Sequence, residues 1–484
     1  MHMSFNSFRF ILTFFPIFVL LYFLAAKKSA RASRLVLILG SAVFYAYAGW
    51  QASLLLALSL AVNLLLALWI VREQREKAPL VIGIVLNLGL LFSFKYLNFA
   101  IGTVNAVTQG TLAEVKLILP LGISFFTFQQ IMYLVSVFRG EIETVDAGDY
   151  LAYILYFPKL IMGPLMEPAD FLAQLHDDTR RSFRWDHLAS GLKVFSLGLF
   201  KKMVLADTFA QSVNWGFENA FTGATSADLL LTMLFYTIQL YLDFSGYTDM
   251  AVGVSEILNI RLPMNFDSPY KATSMRDFWK RWHISLTSFL TKYVYIPLGG
   301  NRKGAKRTAL NILLVFLISG LWHGAGWTFI LWGILHGLLQ VFERATRRIF
   351  DKLPKLLTWA YSFVSANVLW LLFRSESIRQ WLRILKRIFL FSDMSITRGL
   401  YRPFIVPETF TLLRLLHLKD IYEYCESLPM LIYLAAVLAG CFFFPNTYRR
   451  LKETNPFNMV VCAIAFVWGF ICLGTESTFL YFNF

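Results

Sequence analysis

Apolar segments recur along nearly the whole chain, beginning near Phe8, Leu35, Ser53, Pro79, Leu117, Ala189, Ala227, Ala309, Trp327, Lys355, Pro429 and Phe457. A helix of about 20 residues crosses the hydrocarbon layer of a bilayer, and these runs reach or approach that length. Inside lipid a spanning segment must satisfy its own backbone hydrogen bonds, which a helix does. Composition agrees: 57% of the 484 residues are hydrophobic and 15% are charged, where soluble domains carry about 25% charged residues. A cytosolic enzyme, a disordered chain and a secreted disulfide scaffold are therefore excluded. The sequence predicts an all-α polytopic membrane protein of roughly 11–12 transmembrane helices. It reads as a single integral-membrane domain over 1–484: N-terminal helices over 1–115, a core over 116–345, and C-terminal helices over 346–484.

The basic residues sit in short loops between the runs, and they set a direction. Lys27, Lys28, Arg31 and Arg34 follow the first run, and Arg72, Arg75 and Lys77 follow the third. Gly49-Trp50-Gln51, between the second and third, is uncharged. By the positive-inside rule the basic loops are cytoplasmic, which puts the N-terminus outside. The alternation holds downstream. Residues 102–113 lack Lys and Arg, whereas 167–187 hold Arg180, Arg181 and Arg184, and 261–307 hold ten Lys/Arg against Asp267 and Asp277. Arg344, Arg347 and Arg348, and then Arg449, Arg450 and Lys452, also fall inside. The acidic 139–149 loop runs weakly against the pattern. A net charge of +15 thus reflects cytoplasmic loops and membrane lipids, with no nucleic-acid partner. Residues 8–26 are expected to remain as a span and not to be a cleaved signal, because the apolar stretch is long and Lys27 and Lys28 follow at once. Cys425, Cys441, Cys462 and Cys472 form no C-x-x-C pair and read as small buried apolar residues; no metal site is expected.

Two segments do not fit simple spans. Residues 150–166 are apolar but interrupted by Pro158, Gly163 and Pro164, and both flanks fall inside, so a re-entrant piece is expected. Residues 374–428 alternate Arg374, Arg379, Arg383, Lys386 and Arg387 with Trp381, Leu382, Ile384 and Leu385, the pattern of an interfacial amphipathic helix.

The densest polar and aromatic stretch is Ser319-Gly-Leu-Trp-His-Gly-Ala-Gly-Trp, continuing to Trp332-Gly-Ile-Leu-His-Gly337. Counting from Arg307 and Arg347, His323 and His336 lie about 24 and 16 Å from the inner surface along a helix, so both fall at membrane depth. An ionisable side chain there is a candidate functional group; the alternative is a neutral histidine bonded to a carbonyl within a bundle. Gly320, Gly324 and Gly326 are expected to loosen the helix around His323. Histidine can take a proton from a hydroxyl and return it. No G-x-S-x-G turn and no reactive cysteine are present, which favours direct transfer over a covalent acyl-enzyme. A second cluster, Ser274 to Leu286, interleaves Arg276, Lys280 and Arg281 with Phe278, Trp279 and Trp282. It reads either as an interfacial helix with snorkelling cations or as a cationic mouth for a phosphate-bearing donor. A third, Gln239 to Asp249, holds Asp243 and Asp249, read as structural partners of the basic mouth.

These motifs resemble the membrane-bound O-acyltransferase family. They include Leu321-Trp-His-Gly-Ala-Gly-Trp, Trp332-Gly-Ile-Leu-His-Gly, Arg276-Asp-Phe-Trp-Lys-Arg-Trp-His-Ile-Ser, Tyr295-Ile-Pro-Leu-Gly-Gly and Tyr156-Phe-Pro-Lys-Leu-Ile-Met-Gly-Pro. Leu121-Gly-Ile-Ser-Phe-Phe-Thr-Phe-Gln and Leu242-Asp-Phe-Ser-Gly-Tyr make the chain most similar to the bacterial alginate O-acetyltransferase branch. The resemblance implies helices around a central tunnel in a bacterial plasma (inner) membrane. It implies acetyl transfer from a cytoplasmic donor to an extracytoplasmic polysaccharide such as alginate, with acetyl-CoA as co-substrate and no bound cofactor. His323 matches the family's catalytic histidine. His283 falls where many relatives carry a second polar residue, often Asn, and His283 and His336 would position or polarise. Arg276, Lys280 and Arg281, with Trp279 and Trp282, would gather the donor; Trp322, Gly324, Asp243 and Gln239 would support the tunnel. An extracytoplasmic acetyltransferase partner would complete delivery, docking on 374–428. Gly326 and Lys159 depart from the branch, which often has Asn and usually Gln there. Peptidoglycan acetylation and D-alanyl transfer to teichoic acid remain as alternatives, as does a transporter or flippase using the broken 150–166 segment.

Overall fold

The computed structural model describes residues 3–405, 411, 414–415, 425–474 and 479–480; among these every regular element is helical. Among the described residues, seven helices are long and apolar enough to cross a membrane: Arg9–Lys28 (α1), Trp50–Arg72 (α3), Lys77–Lys95 (α4), Ser226–Ile257 (α8), Gly304–His323 (α10), Lys355–Arg374 (α12) and Pro456–Gly474. Between them lie Ala30–Ala46 (α2), Ile123–Phe138 (α5), Ala147–Leu155 (α6), Trp185–Phe200 (α7), Met275–Arg281 (α9), Trp327–Ala345 (α11), Ile378–Leu390 (α13) and Leu428–Phe443 (α14).

The apolar run from Leu117 serves a different purpose from a lipid-facing span. The run from Leu117 turns helical only at Ile123, because Pro120 lacks a donor and Gly122 takes φ 73. From Phe125 to Val137 every side chain of α5 is buried, so its apolarity serves protein packing and not lipid contact.

α8 forms the axis of the molecule, with 83% of its apolar window buried. It crosses α7 at glycines: a Cβ on Gly253 would lie 2.5 Å from the Gly191 carbonyl oxygen, and one on Gly198 would lie 2.6 Å from that of Gly246. Small residues permit such backbone approach between membrane helices. The chain after α7 winds into a π-turn, Lys201–Ala206. Its two lysines meet α8 carboxylates, Lys201–Asp249 at 2.6 Å and Lys202–Asp243 at 2.7 Å. Asp243 and Asp249 therefore answer intramembrane lysines and not the basic mouth. The expected pairing fails because both carboxylates face α7, while the mouth is built elsewhere.

Residues 152–166 are buried without exception. The helix breaks at Tyr156 (φ −46, ψ 100), and side chains from distant segments satisfy the freed backbone. The Phe157 N–H donates to Ser41 Oγ (3.3 Å) and the Leu165 N–H to Ser285 Oγ (3.1 Å), and the Met166 carbonyl accepts from the Tyr153 hydroxyl (2.8 Å). Irregular backbone at membrane depth requires such partners. Lys159 is wholly buried here, its ammonium bonded to Gln129 and 3.8 Å from the centre of the Tyr153 ring.

The basic loops gather on one face, and the 139–149 loop lies among them. Arg34 pairs with Asp146 (2.8 Å) and Asp149, His176 Nε2 lies 2.9 Å from Asp149, and Lys292 pairs with Glu141 (3.3 Å) and Glu167 (3.0 Å). These acids sit there as partners for the cations, which removes the apparent conflict in the charge pattern. α13 lies at the opposite end of α8, where the Ser226 hydroxyl donates to the Arg387 carbonyl (2.7 Å). It buries Ile384 and Ile388 and leaves Leu382, Phe389 and Leu390 exposed. The remainder of the 374–428 segment lies partly outside the described residues, at 406–410, 412–413 and 416–424.

Candidate active site

α10 starts in a basic loop and ends at His323; α11 returns from Trp327. The two cross at Gly320 and Gly333. A Cβ on Gly320 would lie 2.3 Å from the Phe329 carbonyl oxygen, and one on Gly333 would lie 2.3 Å from that of Phe316. Gly320 is therefore a packing contact, and Gly324 makes room for the Phe329 ring, which a Cβ would approach to 2.2 Å. Gly324, extended at φ −164 and ψ 153, is also where the helix ends, so the expected loosening around His323 is replaced by packing only at Gly320. Close approach fixes the partners of the imidazole instead. Its ring centre lies 5.1 Å from that of Trp332, and Trp332 lies 4.6 Å from His336.

His283 enters from a third element. It occupies the turn after α9 in the left-handed region (φ 46, ψ 52), uncommon for a residue with a Cβ. Asn265 holds the turn: its Oδ1 accepts from the Ser285 N–H (3.2 Å) and hydroxyl (2.9 Å) and lies 3.2 Å from His283 Nδ1. A backbone N–H only donates, so this oxygen is the acceptor and His283 Nδ1 carries the proton. His283 Nε2 is then the acceptor nitrogen, with its ring centre 6.5 Å from that of His323. His336 has the opposite tautomer, because its Nδ1 accepts from the indole N–H of Trp279 at 3.2 Å. Relative exposures of 0%, 3% and 0% for His283, His323 and His336 place all three rings out of bulk water.

Two cavities approach this cluster from opposite ends. The larger, about 1210 Å³, opens on the basic face and is lined by Arg276, Lys280, Arg344, Arg347 and Lys355, with Trp279 and Ser319 at depth. The smaller, about 120 Å³, is lined by Lys95, Gly122, Ser124, Met162, Trp322 and His323. Ser319 stands one helical turn before His323, so α10 touches both cavities with successive turns. Glu343 fixes the wall of the larger one by accepting the first N–H groups of α9, from Met275 (2.5 Å) and Arg276 (3.0 Å).

Among the anticipated donor residues, Arg276, Lys280 and Trp279 line the larger cavity. Arg281 turns away to the Asp277 carboxylate (3.0 Å) and the Asp267 carbonyl (3.2 Å). Trp282 is buried against Phe278, ring centres 5.6 Å apart. Trp322 stacks on Phe128 at 5.5 Å and lines the smaller cavity. Gln239 and Asp243 are buried in α8 and line neither.

Two residues escaped the sequence reading. Lys95 bonds the carbonyls of Trp322 (2.7 Å) and His323 (3.0 Å), yet in sequence it is only a cation at the end of a span. Asn265 sits in a loop without a motif, and nothing nearby signals its role.

A family model described as MBOAT, membrane-bound O-acyltransferase family, matches residues 35–375. The chain belongs to that family. This membrane-bound O-acyltransferase is 35% identical to a peptidoglycan O-acetyltransferase of Helicobacter pylori, over 99% of its own length and 97% of the relative's. It is 34% identical to a probable alginate O-acetylase of Pseudomonas putida over the full length of both, and 38% identical to one of Azotobacter vinelandii over 82% and 80%. A teichoic acid D-alanyltransferase of Streptococcus thermophilus is 30% identical over 47% of this chain and 57% of its own. The acyltransferase reading thus prevails over the transporter.

Proposed function

We propose that this acyltransferase moves an acetyl group from a soluble donor on the basic, cytoplasmic face to a hydroxyl of an extracytoplasmic polysaccharide. The observation that carries the reading is that the last two turns of α10 line two separate cavities, the cation-ringed one at Ser319 and the smaller one at the buried His323. The larger cavity is ringed by cations suited to a phosphate-bearing thioester such as acetyl-CoA. His323 takes the proton of the acceptor hydroxyl as its oxygen attacks the acetyl carbonyl carbon. The carbon–sulfur bond then breaks, and the departing thiolate takes the proton from the imidazole. The products are an acetyl ester and a free thiol. Trp279 holds His336, and Asn265 holds His283, on either side of this centre. Both full-length relatives are named for glycan acetylation, which favours a sugar hydroxyl over a teichoic acid. An outer partner would complete delivery, and the exposed apolar edge of α13, at the end of α8 away from the basic loops, is where it would dock. An N-terminus outside an inner membrane follows from the same orientation.

The test is turnover of labelled acetyl-CoA in nanodiscs, with alginate or peptidoglycan fragments as acceptors, for the wild type and His323→Ala. Label transfer lost in a folded His323→Ala protein supports the reading, and full activity in that variant would sink it.

A further inference from the structure

The last carbonyls of a helix have no partner within it, and at membrane depth each one left bare costs several kcal/mol, on the order of what any unsatisfied backbone group costs there. α10 ends at His323, so the carbonyls of Leu321, Trp322 and His323 are in this position. One dipeptide from α4 and its end serves all three. The Tyr96 hydroxyl donates to the Leu321 carbonyl (2.6 Å), and the Lys95 ammonium donates to those of Trp322 (2.7 Å) and His323 (3.0 Å). A cation at a helix C-terminus also opposes the negative end of the macrodipole. The pair therefore fixes the height and rotation of the helix end that carries His323.

An ammonium has three donors, and these two bonds use two of them. Lys95 also lines the smaller cavity, whose other residues include Leu119, Leu121, Phe125 and Met162. Among the described residues it is the only lysine, arginine or carboxylate side chain on that wall, and it stands beside His323 on the side away from the basic loops. We propose that Lys95 is an acceptor-binding residue: while it holds the α10 terminus, its remaining N–H donates to an oxygen of the incoming acceptor next to the reacting hydroxyl. This inference rests on the acetyltransferase reading above. Its ligand class is an oxygen-rich acceptor, as a sugar is, and not water alone.

The experiment compares wild type, Lys95→Met, Lys95→Arg and Tyr96→Phe in nanodiscs, following acetyl-CoA hydrolysis and acetyl transfer to an alginate or peptidoglycan fragment separately. In Lys95→Met, hydrolysis and transfer are both expected to fall as the clamp on α10 is lost, but transfer falls at least tenfold further than hydrolysis through a higher acceptor KM, with acetyl-CoA affinity within about twofold of wild type. Lys95→Arg, which keeps the charge and the carbonyl donors, is expected to recover most of the transfer; it also serves if Lys95→Met does not fold. Tyr96→Phe removes a clamp bond outside the cavity wall and is expected to lower hydrolysis and transfer together. Equal losses of hydrolysis and transfer in Lys95→Met, or no change in either, would overturn acceptor binding by Lys95. A wild type that neither hydrolyses nor transfers acetyl would instead fell the underlying reading, and this inference with it.

Discussion

Gly320 and Gly333 stand back to back where α10 crosses α11, each allowing the other helix's backbone closer than any Cβ would tolerate. This crossing sets the distance between His323 and the Trp332–His336 pair. Gly333→Ala would push α11 outward, because the obstructing atom, the Phe316 carbonyl oxygen at 2.3 Å, belongs to a backbone that cannot swing aside. Acetyl transfer is expected to fall by a factor of ten or more, with a lowered melting temperature. Gly440→Ala, where nothing lies within 4 Å of the added carbon, is the matched control and should behave as wild type.

The larger cavity makes a prediction about charge. Arg276→Gln and Lys280→Gln should each raise the donor KM about three- to tenfold and leave kcat nearly unchanged, since attraction to an anionic donor is uniform binding. Added salt should weaken the wild type towards the variants, because exposed charges are screened. Arg281→Gln, which alters a side chain turned to Asp277 and Asp267, should leave the donor KM unaltered. Steady-state kinetics at two ionic strengths check all three.

His283 offers a test of backbone conformation. Asn tolerates positive φ better than most residues with a Cβ. His283→Asn should therefore keep the turn and most of the stability, whereas the β-branched His283→Val should be destabilised by about 1–3 kcal/mol. Asn265→Ala removes the acceptor shared by Ser285 and His283 and should cost on the order of 1–3 kcal/mol. Thermal unfolding in detergent ranks the three variants.

The Lys202–Asp243 pair, with the two side chains 1% and 2% exposed, predicts a strong asymmetry. Lys202→Met alone leaves buried carboxylates uncompensated and should cost about 3–5 kcal/mol. Adding Asp243→Leu should restore part of the loss, even though the double variant lacks the ion pair. A double-mutant cycle on melting temperatures reads this directly.

Much of the histidine cluster could be read from the chain, because His323 and His336 stand in a dense run of Trp and Gly residues and His283 follows Trp279 and Trp282. Apolar length was a poorer guide to spans. The run from Leu117 looks like lipid-facing helix, but hydrophobicity is the same whether a side chain meets acyl chains or the Phe and Tyr residues that bury α5. Lys95 and Asn265 were invisible for another reason. Each acts on a segment far away in sequence, on the carbonyls of residues 322 and 323 and on the turn at 283–285. A single position carries no trace of which distant backbone it will serve. Asp243 was misread on the same account, since its partner Lys202 sits in an apolar run that does not advertise an ion pair.

The two lysine–aspartate contacts between the π-turn after α7 and α8 also bear on how the chain reaches the membrane. An isolated α8 would carry Asp243 and Asp249 into hydrocarbon at a cost of roughly 2.5–3.5 kcal/mol each near the bilayer centre, with little spare hydrophobicity to offset it. The helix synthesised just before it brings Lys201 and Lys202, at 2.6 and 2.7 Å from those carboxylates. The two segments therefore enter hydrocarbon more cheaply as a joined pair than α8 would alone, each lysine offsetting one α8 carboxylate, with Asp207 sharing Lys202 at 2.8 Å.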